Sequence, residues 1–353
     1  MKAKHEPVGV VGAGSFGTVV ANLLAENAPV LLYARRPEVV AAMRTDRQSA
    51  GYALHPNVTP TNELSEVAAC RVLFPVVASS GFRQTLRDLS PHLRPSHLLI
   101  HGTKGLDVRE SAADSPDGGR LTTEPLTREQ VRTMSEVIRE ETVVVRIGCL
   151  AGPNLARELA EHQPGATVVA SRFDEVIDTG QALLRSDRFQ VYGNSDLIGI
   201  ELCGVLKNII AIASGVLSGL GLGENARALL VSRGLAEMIY LGKALGGNSE
   251  AFMGLAGVGD LVATCFSRDS RNFTVGYRLA QGETLDEVIE DTEEVAEGVN
   301  TTRIVKRLAD HYRVAAPITR MLYRMLFEGV TAEKALEKLM KMSLGEGEDV
   351  DFL

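Results

Sequence analysis

The segment "VGVVGAGSFGTVVANLLAE" (Val8 to Glu26) confines the chain to few folds: a short apolar run breaks into Gly12, Gly14 and Gly17 in GxGxxG spacing and then becomes an amphipathic helical pattern. In such a unit the first glycine permits a tight turn, the second lets backbone approach a pyrophosphate, and the third lets helix and strand pack closely. A structural glycine turn without a ligand is the alternative. Context favours the ligand, because the same alternation recurs in "VLLYARR" (Val30 to Arg36), "CRVLFPVVAS" (Cys70 to Ser79) and "HLLIHGTKG" (His97 to Gly105). Apolar runs bounded by Gly, Pro or polar turns and separated by helix-length segments read as parallel strands with crossover helices. The expectation is a doubly wound α/β domain that binds a dinucleotide.

Strand-like runs continue in "TVVVRIGCLAGP" and "ATVVASR", with "FQVYGN" closing the sheet, and from Ser195 the pattern changes to long helical segments rich in Leu, Ala, Glu and Gly. A chain of 353 residues accommodates two domains. The boundaries read as 1–194 for the α/β domain, 195–344 for a mainly helical substrate and catalytic domain, and 345–353 for an acidic flexible tail. Between Asp107 and Arg132 an Asp-Ser-Pro-Asp-Gly-Gly core signals a surface excursion.

A formal charge of −8 gives no nucleic-acid footprint, so an anionic substrate needs local positive charge. The first strand pattern starts within eight residues, leaving no room for a signal peptide, and a cytoplasmic protein is expected. Cys70, Cys149, Cys203 and Cys265 are far apart with no CxxC pair, which argues against zinc or a redox dithiol and for reduced, buried thiols.

An acidic residue at the end of the second strand binds the ribose 2′-hydroxyl and excludes a 2′-phosphate. This chain has Arg35 and Arg36 there instead. A guanidinium pairs bidentately with phosphate, which favours NADP, with NAD still possible; a solvated basic turn is the alternative.

"GIELCGVLKNIIAIASGVLSG" (Gly199 to Gly219) is apolar enough to pass for a membrane span, yet it holds Glu201, Lys207 and Asn208. Central charges of this kind cost about 2.5–3.5 kcal/mol each in lipid, so the run reads as a core helix capped by Asp196, not as an integral membrane segment. Cys203, Lys207, Ile210 or Ala211, and Ser214 share one face. A buried ammonium needs a partner, and a lysine whose proton is labile can act as a general base; a lysine snorkelling to the surface is the rival reading. Downstream, "GLAGVGDLVATCFSRDSRN" joins a glycine-rich loop and Asp260 to Ser270, Arg271 and Asn272 just before a helix, donors that suit a phosphate or merely a solvated loop.

With "GAGSFGT", "KGL" at Lys104, "GPNLARE" at Gly152, "GIELCGVLKNIIAIASG", "NARALLVSRGLAEM", "GLAGVGDLVATC", "SRN" and "EEVAEGVNTT", the sequence closely resembles the bacterial NAD(P)-dependent glycerol-3-phosphate dehydrogenases over almost its whole length. The resemblance implies a Rossmann domain joined to a helical domain, a homodimer, and interconversion of sn-glycerol 3-phosphate and dihydroxyacetone phosphate for glycerolipid synthesis. It implies that Ser15, Phe16, Arg35, Ala156, Val295 and Glu297 contact the cofactor and that Lys104 lies between cofactor and substrate. It further implies that Lys207 transfers the proton, that Gly152, Asn154, Asp260, Ser270, Arg271 and Asn272 line the substrate site, and that Arg271 reaches the cofactor. Three features depart from the family pattern: Asn154 stands in place of serine, Val77-Ala78-Ser79 replaces Val-Pro-Ser, and the excursion is long. Two other functions compete, a two-domain dehydrogenase of β-hydroxy acids or ketopantoate and a nucleotide sensor without turnover.

Overall fold

Alternate residues of the central strands bury themselves on opposite faces of one sheet. Val8, Val10, Val72, Phe74, Leu98 and Ile100 enter one apolar cluster, whereas Val11, Leu73 and Leu99 enter the other. With both faces covered, such strands read in the sequence as unbroken apolar runs. The computed structural model describes residues 6–108, 124–290 and 297–341. The core of the 107–132 excursion, Val295 and the 345–353 tail lie outside the described residues.

The sheet runs in the order Phe189–Asn194, Gly165–Ser171, Arg146–Ala151, Leu98–His101, Val72–Pro75, Val8–Val11, Val30–Tyr33, Val58–Thr61. Read from the Val58–Thr61 edge, its last six members, numbered along the chain, give 3-2-1-4-5-6, the order of dinucleotide-binding doubly wound sheets. Those six strands are mutually parallel. Gly165–Ser171 turns antiparallel to Arg146–Ala151 and is itself parallel to Phe189–Asn194. The edge strand Val58–Thr61 escaped the sequence reading because it contains Pro60, a residue that sheets tolerate at edges and that hides a strand from propensity rules.

The chain packs as two units, Met1–Asp107 with Thr133–Glu201, and Val108–Arg132 with Leu202–Leu353. Of the excursion, the described residues 124–132 group with the helical unit. The apolar run forms the helix Leu197–Gly219, whose most apolar window is 89% buried inside the protein, so it is a core helix. Asp196 Oδ1 accepts the Gly199 N–H at 2.9 Å and caps its start, as the sequence suggests. In the helical unit Gly215 and Gly276 bring this helix close to Arg271–Ala280. A Cβ on Gly215 would lie 1.9 Å from the Phe273 carbonyl oxygen, and one on Gly276 would lie 1.8 Å from that of Ile212.

Buried Glu237, on the helix Glu224–Ala244, accepts the N–H groups of Ile318 and Thr319 at 2.8 and 2.9 Å and the Thr319 hydroxyl. It thereby satisfies first-turn amides of the helix Pro317–Phe327. Burial raises its pKa above the ordinary 4.5, although the Thr319 and Ile318 donors oppose the rise. A carboxyl with a raised folded-state pKa contributes fully below its unfolded pKa and loses that contribution as pH climbs through the folded value. Glu237→Ala is therefore expected to cost about 2–4 kcal/mol, since two buried amides lose their acceptor. Urea unfolding should show the loss shrinking as pH rises above 4.5; a loss that grows with pH would refute this reading.

Candidate active site

In the sheet unit, the first strand ends in a turn that only glycine can make. Gly12 has φ +119°, and a Cβ there would fall 2.2 Å from the Val76 carbonyl oxygen; a Cβ on Gly17 would fall 2.0 Å from the Gly12 carbonyl oxygen. The helix Ser15–Ala25 begins at Gly14 with no side chain capping its first amides. Those N–H groups and the helix dipole suit a pyrophosphate, and the absence of side chains gives it room, so the residues fit a dinucleotide. Ser15 and Phe16 form the first turn, and Phe16 packs against the core beneath it.

Arg35 and Arg36 follow the second strand and are exposed. Arg36 precedes the helix Pro37–Asp46 and stands 3.9 Å from Glu38, a solvated pair of little energetic weight. Arg35 has no hydrogen bond or ion pair among the described residues, so its guanidinium is available to a ligand. Lys104 is half-buried in the turn after Leu98–His101. Gly152 has φ +138° and lets the chain turn after Arg146–Ala151. Asn154 donates through Nδ2 to the Thr167 hydroxyl at 2.9 Å, while its buried Oδ1 lacks a hydrogen-bond partner among the described residues. A buried acceptor left open in this way is costly unless a donor meets it. Ala156 begins the helix Ala156–Ala160 and packs against the same cluster as Phe16.

In the helical unit, Lys207 is only 5% exposed. Its Nζ donates to the Asp260 carboxylate and, at 2.6 Å, to the Thr264 hydroxyl, which in turn donates to the Asp260 carbonyl at 2.6 Å. The snorkelling alternative is thus excluded. Asp260 and Thr264 lie one turn apart on the helix Asp260–Phe266, and Ser214 binds the Cys265 carbonyl at 2.7 Å, so the 207–214 face packs on that helix. The "glycine-rich loop" before Asp260 is instead a π-helical turn, Leu255–Gly259, that runs directly into the helix. Thr264 was missed by sequence reasoning; its i, i+4 relation to Asp260 was the available signal. Cys265 is buried, and burial pushes its thiol up to about 12, which leaves no thiolate for reaction. All four cysteines are buried, and none forms a disulfide among the described residues.

Ser270 caps the helix Arg271–Ala280 by accepting the Phe273 N–H at 3.3 Å, so its own proton is left to donate. Asn272 Oδ1 accepts the Gly298 N–H at 3.0 Å, which commits the oxygen and presents the NH₂ group. Glu297 starts the helix Glu297–Tyr312 beside that contact. Arg271 is exposed at the first turn of its own helix. Guanidinium, amide and hydroxyl donors at a helix N-terminus suit a phosphate. Among the described residues no cluster of three or more potential metal ligands occurs.

The chain matches the family models for the NAD-dependent glycerol-3-phosphate dehydrogenase N-terminus over residues 7–177 and C-terminus over residues 196–337. It is 41% identical over 356 residues to a glycerol-3-phosphate dehydrogenase (NAD(P)+) of Pseudomonas putida, with 99% of this chain and 98% of the relative covered. The same identity and coverage hold for the enzyme of Azotobacter vinelandii. The crystal structure of glycerol-3-phosphate dehydrogenase from Coxiella burnetii superposes with a TM-score of 0.83 at 32% identity, covering 96% of this chain and 99% of that one.

Proposed function

The chain belongs to the NAD(P)-dependent glycerol-3-phosphate dehydrogenase family and interconverts dihydroxyacetone phosphate and glycerol 3-phosphate; from that premise we propose that Lys207 is its proton-transfer residue. The family excludes both the hydroxyacid or ketopantoate reading and the non-catalytic sensor. One observation carries the proposal: a lysine amine buried in the helical unit and held by a carboxylate and a hydroxyl. When bound, the nicotinamide supplies or takes up the hydride. Reduction leaves a developing alkoxide on the former ketone oxygen, and the Lys207 ammonium neutralises it by giving up a proton. In oxidation the neutral amine takes the hydroxyl proton. Asp260 and Thr264 restrict the amine to one position.

Lys104 and Arg271 supply fixed positive charge to the substrate phosphate, and Ser270 and Asn272 add neutral donors. Gly152 and Asn154 line the substrate, with the open Asn154 Oδ1 accepting from a hydroxyl. Gly12, Gly14, Ser15, Phe16 and Gly17 hold the cofactor, with Ala156, Val295, Glu297 and Arg271 as further contacts. The enzyme is a cytoplasmic homodimer that works chiefly in reduction, supplying the glycerolipid backbone.

Arg35 and Arg36 favour NADPH over NADH. Arg35→Asp is expected to lower the NADPH to NADH ratio of kcat/KM by about tenfold to a hundredfold, the worth of a charge-assisted contact of roughly 1.5–3 kcal/mol. Steady-state rates with each cofactor measure it, and an unchanged ratio would remove Arg35 from cofactor selection.

A further inference from the structure

Glu201 has no part in the proton transfer described above, yet it is a buried carboxylate with four polar contacts in the sheet unit. Oε1 accepts the Ser135 N–H at 2.9 Å and lies 3.0 Å from His101 Nε2; Oε2 accepts the Thr133 hydroxyl at 3.0 Å and the Ser135 hydroxyl. Thr133 is the cap, and Ser135 a first-turn residue, of the helix Met134–Glu141, so the carboxylate sits where helix amides favour an anion. Burial pushes its pKa up, but His101 and the Ser135 donors together hold it below the usual carboxylate value.

His101 is 2% exposed and stands edge-on to Phe82. Its Nδ1 has no partner among the described residues, and its approach to Glu201 is close without being a well-aligned hydrogen bond. Glu201 is therefore the polar tether of this ring. His101 is also the last residue of its strand, directly before the 102–105 turn that carries Lys104. That turn is stitched to the end of the neighbouring strand Val72–Pro75 and the residues just after it. Gly102 N–H donates to the Pro75 carbonyl at 3.0 Å, and Thr103 donates to the Val77 carbonyl at 2.7 Å while accepting the Val77 N–H at 3.3 Å. A Cβ on Gly102 would come 3.0 Å from Phe16, so the turn also abuts the cofactor loop.

We propose that Glu201 and His101 form a positioning pair that fixes the 102–105 turn and, through it, holds the Lys104 ammonium in place for the phosphorylated substrate. The pair rests on the substrate role given to Lys104 above. A misplacement of order 1 Å in such a contact costs up to about a hundredfold. With Lys104 assigned to the substrate phosphate, its displacement should act on binding more than on the chemical step.

The test measures kcat, KM for dihydroxyacetone phosphate and Tm in His101→Leu, Glu201→Gln and Lys104→Met and in the two double variants with Lys104→Met. His101→Leu and Glu201→Gln are each expected to raise KM about tenfold with kcat little changed, and neither should raise it further when combined with Lys104→Met. Should His101→Leu not fold, His101→Gln, which keeps an N–H for Glu201, carries the same comparison with a smaller rise of about threefold. Equal increases with and without the Lys104→Met change, or a lower Tm with an unchanged KM, would overturn the pair and leave the Lys104 reading standing. An unchanged KM in Lys104→Met alone would remove Lys104 from substrate binding, and the pair's proposed role with it.

Discussion

Lys207→Ala is expected to lower kcat for dihydroxyacetone phosphate reduction by a factor of about 10²–10⁴, the usual contribution of a positioned general acid, with NADPH binding unchanged. The expectation follows from placement. The amine is enclosed by protein and fixed between Asp260 and Thr264, while the dinucleotide turn at Gly12 is built in the other unit from other residues. Lys207→Arg should be nearly as poor, because a guanidinium keeps its proton across the accessible pH range and cannot cycle between acid and base. Initial rates and NADPH fluorescence titration separate the two effects. Preserved turnover in Lys207→Ala would remove it from the chemistry.

Asp260→Ala should damage both stability and turnover. The carboxylate is 1% exposed and pairs with a lysine that is almost as buried. Removing one partner of such a pair leaves a buried charge uncompensated, which costs about 3–5 kcal/mol. If that is the cause, Lys207→Met combined with Asp260→Ala should be more stable than Asp260→Ala alone, because the second change removes the stranded charge. Urea unfolding of the four proteins gives the answer directly. A double variant less stable than either single one would mean that Asp260 acts through some other contact.

The features legible in the sequence were those with a local signature. GxGxxG announces its own turn because no side chain fits at Gly12, and the apolar strands announce a two-faced sheet because each residue enters one core or the other. Lys207 was conspicuous as a charge within an apolar helix. What stayed hidden depends on residues distant in the chain. The Val58–Thr61 strand is disguised by Pro60 and exists because Val30–Tyr33 pairs with it. The reversal at Gly165–Ser171 was hidden because apolar periodicity does not encode strand direction. Thr264 becomes significant only when Lys207 meets it, 57 residues away in sequence. Glu201 was the clearest case of a visible anomaly with an unreadable cause, since Thr133, Ser135 and His101 lie in segments that gave no sign of converging on it.

Chemical rescue of Lys207→Ala tests the central claim most directly. The deletion leaves space where the lysine chain ran, next to a carboxylate and a hydroxyl able to hold a small ammonium ion. Dihydroxyacetone phosphate reduction by the variant should rise with added methylamine or ethylamine, saturate, and fail to rise with a tetramethylammonium salt at the same ionic strength. Turnover near the wild-type level without any amine, or equal stimulation by the quaternary salt, would contradict proton donation by Lys207.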